Sequence, residues 1–217
     1  MKNFMVIFLF SFSAFLFAQE KPYQIEVGLN QSWFTYDLAF LNDFKQNVRP
    51  KVSIALKREI YKYENIAASA GLRFFELGRA VTTDIYGLGN VTSTFDHYII
   101  SVPLQLKYNI EAINTAVIIN VEPSFILSSK TYAPSFFTEA MVKSTVTNEM
   151  NRLLFLVGGG LEYTFAINNE LFGVKSITNY CITQIPRKGT FISSDNIEHE
   201  WVPYKAYETR LALSYYF

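Results

Sequence analysis

The chain has 217 residues, of which 50% are hydrophobic and 17% aromatic, including 20 Phe and 14 Tyr. Lys and Arg together number 19, as do Asp and Glu, so no net charge favours nucleic acid or another highly charged partner. The single cysteine, Cys181, excludes a disulfide framework within the chain, and we interpret it as a small residue in a strand.

The first residues have the pattern of an export signal. Lys2 provides a positive charge, Phe4 to Phe17 is an almost uninterrupted apolar run, and Ala18 is a small residue before Gln19. The run is shorter than the roughly 20 residues that a helix needs to cross hydrocarbon. We therefore predict a signal peptide at 1–18 and a mature chain at 19–217, with an uncleaved anchor as the alternative. No later apolar run is long enough for a helical span.

The rest of the chain contains eight segments in which apolar and polar residues alternate, as in strands with one apolar face. In chain order they are 23–34, 51–60, 65–76, 95–109, 115–128, 152–165, 171–183 and 207–217. The last of these ends on an aromatic residue, Phe217, with Leu211, Leu213 and Tyr215 on the same face. Each segment is long enough to cross a bilayer as a tilted strand.

The predicted connections alternate strictly in length. Those at 35–50, 77–94, 129–151 and 184–206 are long, whereas those at 61–64, 110–114 and 166–170 are short. Barrels of the outer membrane have long outer loops and short periplasmic turns, and an even strand number leaves no open edge. The sequence therefore predicts an all-β fold: an eight-stranded, antiparallel, up-and-down transmembrane β-barrel. Its location would be the outer membrane of a Gram-negative envelope, in contact with outer-membrane lipid and monomeric.

Charged residues fall on the strand faces that would point into the barrel. These ten residues are Glu26, Lys57, Glu59, Arg73, Lys107, Glu122, Glu162, Lys175, Glu208 and Arg210. An eight-stranded barrel is only wide enough for its own side chains. We expect the charges to pair in a closed, non-conducting interior, with Gly71, Gly158 and Gly160 making room for the longer residues. The alternative is that the charges line a conduit.

Two prolines interrupt the strand pattern. Pro103 and Pro123 lie within the fourth and fifth segments, where each removes a donor from the ladder of hydrogen bonds. We expect a local bulge at each of them.

Several segments resemble a known family. The stretch 98–108 (YIISVPLQLKY) resembles the "Y-x-x-[IV]-P-L-x-L-K-Y" strand of the PorT-like outer-membrane β-barrel family of Bacteroidota. The segments 121–125 (VEPSF), 156–163 (LVGGGLEY) and 213–217 (LSYYF) are similar to its "G-P" strand, its Gly-rich sixth strand and its closing "Y-x-F". Glu122 stands where that family usually has Gly. The resemblance implies an eight-stranded outer-membrane barrel and no shared catalytic residue. PorT itself takes part in secretion, which leaves secretion or envelope assembly as a role.

Residues suited to catalysis or metal binding are few. A rim enzyme acting on lipid or peptide would need a nucleophile, a base and an acid together. Its candidates are Asp96 with His97, interpreted as a residue at headgroup level, and His199 with Asp195, Glu198 and Glu200, interpreted as a solvated loop. We expect no enzyme activity, no metal and no cofactor. A third hypothesis is a soluble periplasmic β-sandwich.

The long outer loops carry the best candidates for binding a protein partner. Phe136 and Phe137 lie in the longest loop, and Phe191 and Ile192 lie in the last one. Exposed aromatic residues often anchor protein interfaces. The sequence therefore suggests a structural or partner-binding role through the loops, with an envelope or secretion protein as the partner. The alternative is that these residues fold over the barrel mouth.

Overall fold

A computed structural model describes residues 23–36, 45–85, 89–134, 141–145, 152–183, 190–192, 198–200 and 204–217. Its strands are β1 (Tyr23–Tyr36), β2 (Lys45–Val48), β3 (Lys51–Tyr63), β4 (Ile66–Ile85), β5 (Gly89–Ser101), β6 (Leu104–Ile110), β7 (Thr115–Pro134), β8 (Met141–Thr145), β9 (Leu153–Ile167), β10 (Glu170–Cys181), β11 (Thr190–Ile192), β12 (Glu198–Glu200) and β13 (Tyr204–Tyr216). A single 3₁₀ turn, Glu111–Ile113, precedes β7. Within these ranges, no helix is long and apolar enough to cross a membrane.

Eleven of the described strands form one antiparallel barrel with eight staves, each stave being one long strand or two consecutive strands, and β11 pairs with β12 in a separate sheet. The staves are, in order, β1, β3 with β2, β4, β5 with β6, β7, β9 with β8, β10 and β13, and the last pairs with the first. The predicted fold class is therefore confirmed, and the closed sheet excludes a β-sandwich. All eight predicted segments lie in these staves.

The register fixes the shape of the barrel. A line of paired residues that leaves β1 at Tyr23 passes through Arg58, Ala70, Leu104, Val121, Val157, Tyr180 and Tyr207 and returns to β1 at Trp33. The line returns ten residues further along β1, which is the shear of the barrel. With eight strands, this shear corresponds to a strand tilt of about 41° and a radius of about 8 Å. The interior is therefore only wide enough for side chains.

Tight turns join the staves at one end. The β9–β10 turn places Asn168 at φ 50° and Asn169 at φ 68°, the pair of left-handed residues that a two-residue hairpin requires. Glu64, at φ 46°, lies in the β3–β4 turn, and Asn114, at φ 51°, follows the 3₁₀ turn before β7. Tyr23 and Phe217 meet at this same end, where the Phe217 amide donates to the Tyr23 carbonyl.

The predicted long loops are partly strand. Strands β4 and β5 continue past the apolar region and pair as far as Ile85 and Gly89, so most of 77–94 is a hairpin. Likewise β7 continues to Pro134 and pairs with β8, within the stretch predicted as loop 129–151. The boundaries predicted for these two loops were therefore wrong, because strand pairing continues beyond the alternating pattern.

The prolines do not coincide with bulges, contrary to expectation. Pairing across Pro103 and Pro123 keeps one register, and the Val102 amide donates to the Pro123 carbonyl at 2.9 Å. The register shifts instead between Tyr98 and Ile99, opposite Leu127, and between Glu59 and Tyr61. The strand is interrupted between β5, which ends at Ser101, and β6, which begins at Leu104. The cause is Pro103, because proline has no amide donor.

The outer surface is apolar between two aromatic belts. Large apolar side chains such as Val52, Ile119 and Leu211 are about 60% exposed there (61%, 59% and 59%). The inner belt, near the tight turns, stacks Tyr163, Phe165, Phe172, Tyr215, Phe217 and Tyr23 in sequence. The outer belt contains Trp33, Tyr207 and Tyr180. Ten tilted residues separate Tyr23 from Trp33, about 25 Å along the barrel axis, which is the height of a lipid-facing band.

Candidate functional site: the barrel interior

Charged side chains occupy the interior on the side of the tight turns. Nine of the ten predicted interior charges are buried: Glu26, Lys57, Arg73, Lys107, Glu122, Glu162, Lys175, Glu208 and Arg210. We call these nine residues the charged layer. They lie on the inward-facing positions of all eight staves, because alternate residues of a strand point to opposite faces.

The tenth residue, Glu59, differs from the expectation. It is half-buried and forms no ion pair with another described residue. It keeps the register of Lys57 and lies two residues closer to the tight turns, just before the register shift between Glu59 and Tyr61. The buried set therefore has five cations and four carboxylates, not five of each.

Glu26 and Glu162 organise the lower half of the charged layer. Glu26 Oε2 accepts from Lys57 and, at 2.8 Å, from Lys175. Glu162 Oε2 lies 2.7 Å from Lys107 Nζ, and its other oxygen accepts from the Tyr216 hydroxyl. Each carboxylate thus contacts two donors, which compensates part of the cost of removing it from water.

Arg73 organises the upper half of the charged layer. Its Nη1 lies 3.0 Å from Glu122 Oε1, and its Nη2 pairs with Glu208 and donates to Asn30 Oδ1 at 2.9 Å. The guanidinium also lies over the Phe75 ring, 3.8 Å from its centroid. A planar guanidinium with five donors suits this bridging position better than a lysine would.

Arg210 has fewer contacts than the other cations. Its Nε lies 3.4 Å from Glu26 Oε1, and its Nη1 and Nη2 have no hydrogen-bond partner among the described residues.

Neutral polar residues complete the charged layer, and the sequence analysis missed them. Asn120 donates to Glu122 at 3.1 Å and to Asn179 at 2.9 Å, and Asn179 donates to Glu208 at 2.8 Å. Gln105 accepts from Lys57 at 2.9 Å. Their signal is a polar residue flanked by lipid-facing apolar ones, such as Asn120 between Ile119 and Val121.

An apolar layer lies above the charged layer, toward the outer rim. It comprises Phe34, Phe75, Leu77, Ile99, Ile126, Leu154, Leu156, Cys181 and Ala206, and each of these is at most 1% exposed. On β4, Phe75 and Leu77 follow Arg73, which shows the order of the two layers. This apolar layer was not predicted from the sequence.

The residues considered for catalysis are placed differently from the expectation. His97 is 1% exposed and faces the barrel interior, with its Nδ1 2.8 Å from the Ser129 hydroxyl, so its side chain does not contact the lipid headgroups. Asp96 pairs instead with Arg49 at 3.1 Å and Lys51 at 2.9 Å. His199, Glu198 and Glu200 lie in β12. Their side chains, and the whole of Asp195, are not among the parts of the chain that the structure describes. Among the described residues, no group of His, Cys, Asp and Glu could hold a metal ion.

Phe136 and Phe137 lie outside the described residues, and so do the side chains of Phe191 and Ile192. Cys181 is buried in the apolar layer with its thiol 3.1 Å from the Thr183 carbonyl oxygen.

Comparison with known proteins supports the fold and no more. No family model matches the chain, and no curated protein matches it. A major outer membrane protein of Thermus thermophilus is similar in structure, with a TM-score of 0.51, 9% identity, and coverage of 92% of this chain and 100% of the other. Ail, the attachment invasion locus protein of Yersinia pestis, has a TM-score of 0.47 and 13% identity over 92% of this chain and 100% of its own. Neisserial surface protein A has a TM-score of 0.46 and 9% identity over 91% and 100%.

Proposed function

We propose that this protein resides in the bacterial outer membrane as a monomeric barrel that does not conduct ions. Its role is structural or partner-binding, through the loops at the outer rim. The observation that carries this proposal is that two layers are stacked in the interior, one of paired charges and one of apolar side chains. An ion would have to cross both.

The apolar layer is the stronger barrier of the two. A hydrated ion loses its water on entering a passage lined by groups such as Phe75, Ile99 and Leu156, which offer no replacement ligands. In the charged layer, each of the four buried carboxylates is already paired with a cation, Glu122 and Glu208 with Arg73 and the other two with lysines, so no carboxylate is left to bind a passing ion. This arrangement favours a closed interior over a conduit.

Conductance measurement tests the closed interior. We expect no steady openings when the purified protein is inserted into planar bilayers at about 1 M KCl, a concentration that screens exposed charges strongly. The control is a known open porin inserted from the same detergent. Steady openings that persist when the outer loops are shortened would refute a closed interior, because they would require a path through both layers.

Fractionation and gel mobility test the location. The protein should enter the outer-membrane fraction, require detergent for extraction, and migrate differently on gels before and after heating. We propose in addition that residues 1–18 are removed on export, so that mass spectrometry of the mature protein should give a chain beginning at Gln19. Recovery from the soluble fraction would contradict the location.

The outer loops are the proposed contact with an envelope or secretion protein. Support comes from the sequence, in the aromatic pair Phe136 and Phe137 and in the resemblance of residues 98–108 to the PorT-like strand. A photoreactive residue at 136 or 137 should crosslink a specific protein in intact cells. The matched control is a photoreactive residue at Ile113, which is 56% exposed at the opposite end. The same product from both sites would contradict a contact through the outer loops.

We propose no catalytic role for the protein. His97 and Ser129 form a hydrogen-bonded pair, but both are at most 1% exposed, so a substrate could not reach them without opening the barrel. Replacing His97 by Gln should leave any hydrolase or acyltransferase activity of the preparation unchanged.

A further inference from the structure

Three cations lie over aromatic rings near the outer belt. Lys205 Nζ is 5.8 Å from the centre of the Tyr180 ring, and Lys130 Nζ is 4.7 Å from that of Tyr98. The Arg152 guanidinium is 6.0 Å from the centre of the Phe125 ring. The rings face outward, because their strand neighbours Cys181, Ile99 and Ile126 are buried in the apolar layer. We call Lys130, Arg152 and Lys205 the cationic arc.

The shear of the barrel places Arg152 and Lys205 at one height, and Lys130 about three residues above them on β7. A shear of ten over eight strands shifts a line of constant height by about 1.25 residues per strand relative to the line of paired residues. The paired line from Tyr207 passes through Tyr180 to Val157 on β9. At constant height, Lys205 therefore meets β9 close to Arg152. Two strands further around the barrel, the point on β5 at this height lies within about one residue of Tyr98. The ring of Tyr98 is the one that lies beneath Lys130.

This height is the outer boundary of the apolar band. Trp33 and Tyr207 of the outer belt lie within about two residues of it by the same construction. Long cationic side chains at such a boundary extend their charges toward the headgroups while their stems cover apolar surface. An aromatic ring below the cation holds it in place at little entropic cost.

We propose that the cationic arc binds the phosphate groups of an outer-leaflet lipid. The inference depends on the proposed outer-membrane location. Arg152 and Lys205 stand two strands apart, about 13 Å along the membrane plane, so a headgroup with two phosphates can contact both. Arginine and lysine both bind phosphate oxygens through charge-assisted hydrogen bonds.

The inner boundary provides the matched comparison. Arg58 lies 5.6 Å from the centre of the Tyr23 ring, which is the same cation–ring arrangement at the other end of the barrel. The described residues at that end also include the acids Glu59, Glu64, Glu111 and Glu170. Among the described side chains that face outward, the excess of cations is therefore at the outer boundary.

Lipid retention measured by native mass spectrometry tests the proposal. The full-length mature protein is refolded in detergent and titrated with diphosphoryl lipid A or with the same lipid after removal of both phosphates. The variant is K130Q/R152Q/K205Q, and the control is R58Q. We expect at least tenfold weaker retention of the diphosphoryl lipid by the triple variant, no change for R58Q, and little difference between the two lipids once the arc is neutralised.

Three results would overturn the proposal. They are equal retention by wild type and triple variant, an equal loss in R58Q, or equal retention of both lipids by the wild type. Heat-dependent gel mobility of each variant shows that it is folded before it is titrated. Failure of the location itself is recognised separately, since it is measured by fractionation and not by lipid retention.

Discussion

Arg73 and Glu208 form an ion pair across the barrel interior although 135 residues separate them in the chain. Both side chains are at most 1% exposed, and Arg73 also contacts Glu122 at 3.0 Å. The pair joins β4 to β13, two staves that are not neighbours in the sheet. The interior of this barrel is therefore held together by side chains as well as by the ladder of backbone hydrogen bonds.

Removing one member of this pair should destabilise the barrel strongly. Arg73→Met leaves Glu208 and Glu122 buried without their cation, and we expect a loss of about 3–5 kcal/mol in the free energy of unfolding. Urea-induced unfolding from lipid vesicles, followed on gels by heat-dependent mobility, measures this loss. The double variant Arg73→Met/Glu208→Leu should lose less than the sum of the two single variants. Additive losses would show that the two residues do not interact.

Glycine at position 71 should be required by the close approach of β3. A Cβ added there would lie 2.1 Å from the Leu56 carbonyl oxygen and 2.6 Å from the Lys57 Cα, and both are backbone atoms. We expect Gly71→Ala to cost about 1–3 kcal/mol in the same unfolding assay. Gly159→Ala is the control, since its nearest contact is 3.1 Å. An equal effect at both positions would contradict the local geometry.

The lipid-facing surface should reject charge according to depth. Leu211 is 59% exposed between the two aromatic belts, and we expect Leu211→Arg to cost about 2–4 kcal/mol in the free energy of folding into vesicles. Ile113, in the 3₁₀ turn, is similarly exposed at 56%, and Ile113→Arg should cost less than about 1 kcal/mol. If both substitutions were tolerated equally, the apolar band would face water.

The ion pairs around Asp96 should contribute less to the free energy of unfolding than those of the charged layer. Arg49 and Lys51 contact Asp96 at 3.1 and 2.9 Å, and their side chains are 38% and 15% exposed. Because water reaches this cluster and Lys51 keeps its 3.0 Å contact with Glu76, Asp96→Asn should cost about 1 kcal/mol or less. Moderate salt should reduce that cost further. A loss as large as that of Arg73→Met would mean that the cluster is as dry as the interior.

The alternation of residues was sufficient to predict the staves, because lipid outside and polar groups inside impose a strict period of two. It could not predict the upper hairpin of β4 and β5, whose residues Gly78, Thr82 and Asp84 lie beyond the apolar band. Strands above the membrane pair through their backbones and need no apolar face. The ends of these strands therefore cannot be recognised from the alternation of apolar and polar residues.

The apolar layer was missed for a related reason. In adjacent apolar pairs such as Phe74 and Phe75, or Ile99 and Ile100, the prediction considered only the lipid-facing member, although the other member faces inward. Such doublets are the signal that both faces of a strand are apolar. The individual partners within the charged layer depend on the shear of ten residues, which follows from the pairing of all eight staves and not from any one segment.

The most direct test of this architecture is an oxygen-accessibility scan along β13. Single spin labels at positions 211, 212, 213 and 214, in a Cys181→Ser background, would be compared in lipid vesicles by the relaxation that dissolved oxygen causes. Because Leu211 and Leu213 are more than half exposed while Ala212 and Ser214 are buried, we predict high accessibility at 211 and 213 and low accessibility at 212 and 214. Uniform accessibility, or the opposite alternation, would contradict a barrel with lipid outside and paired charges within.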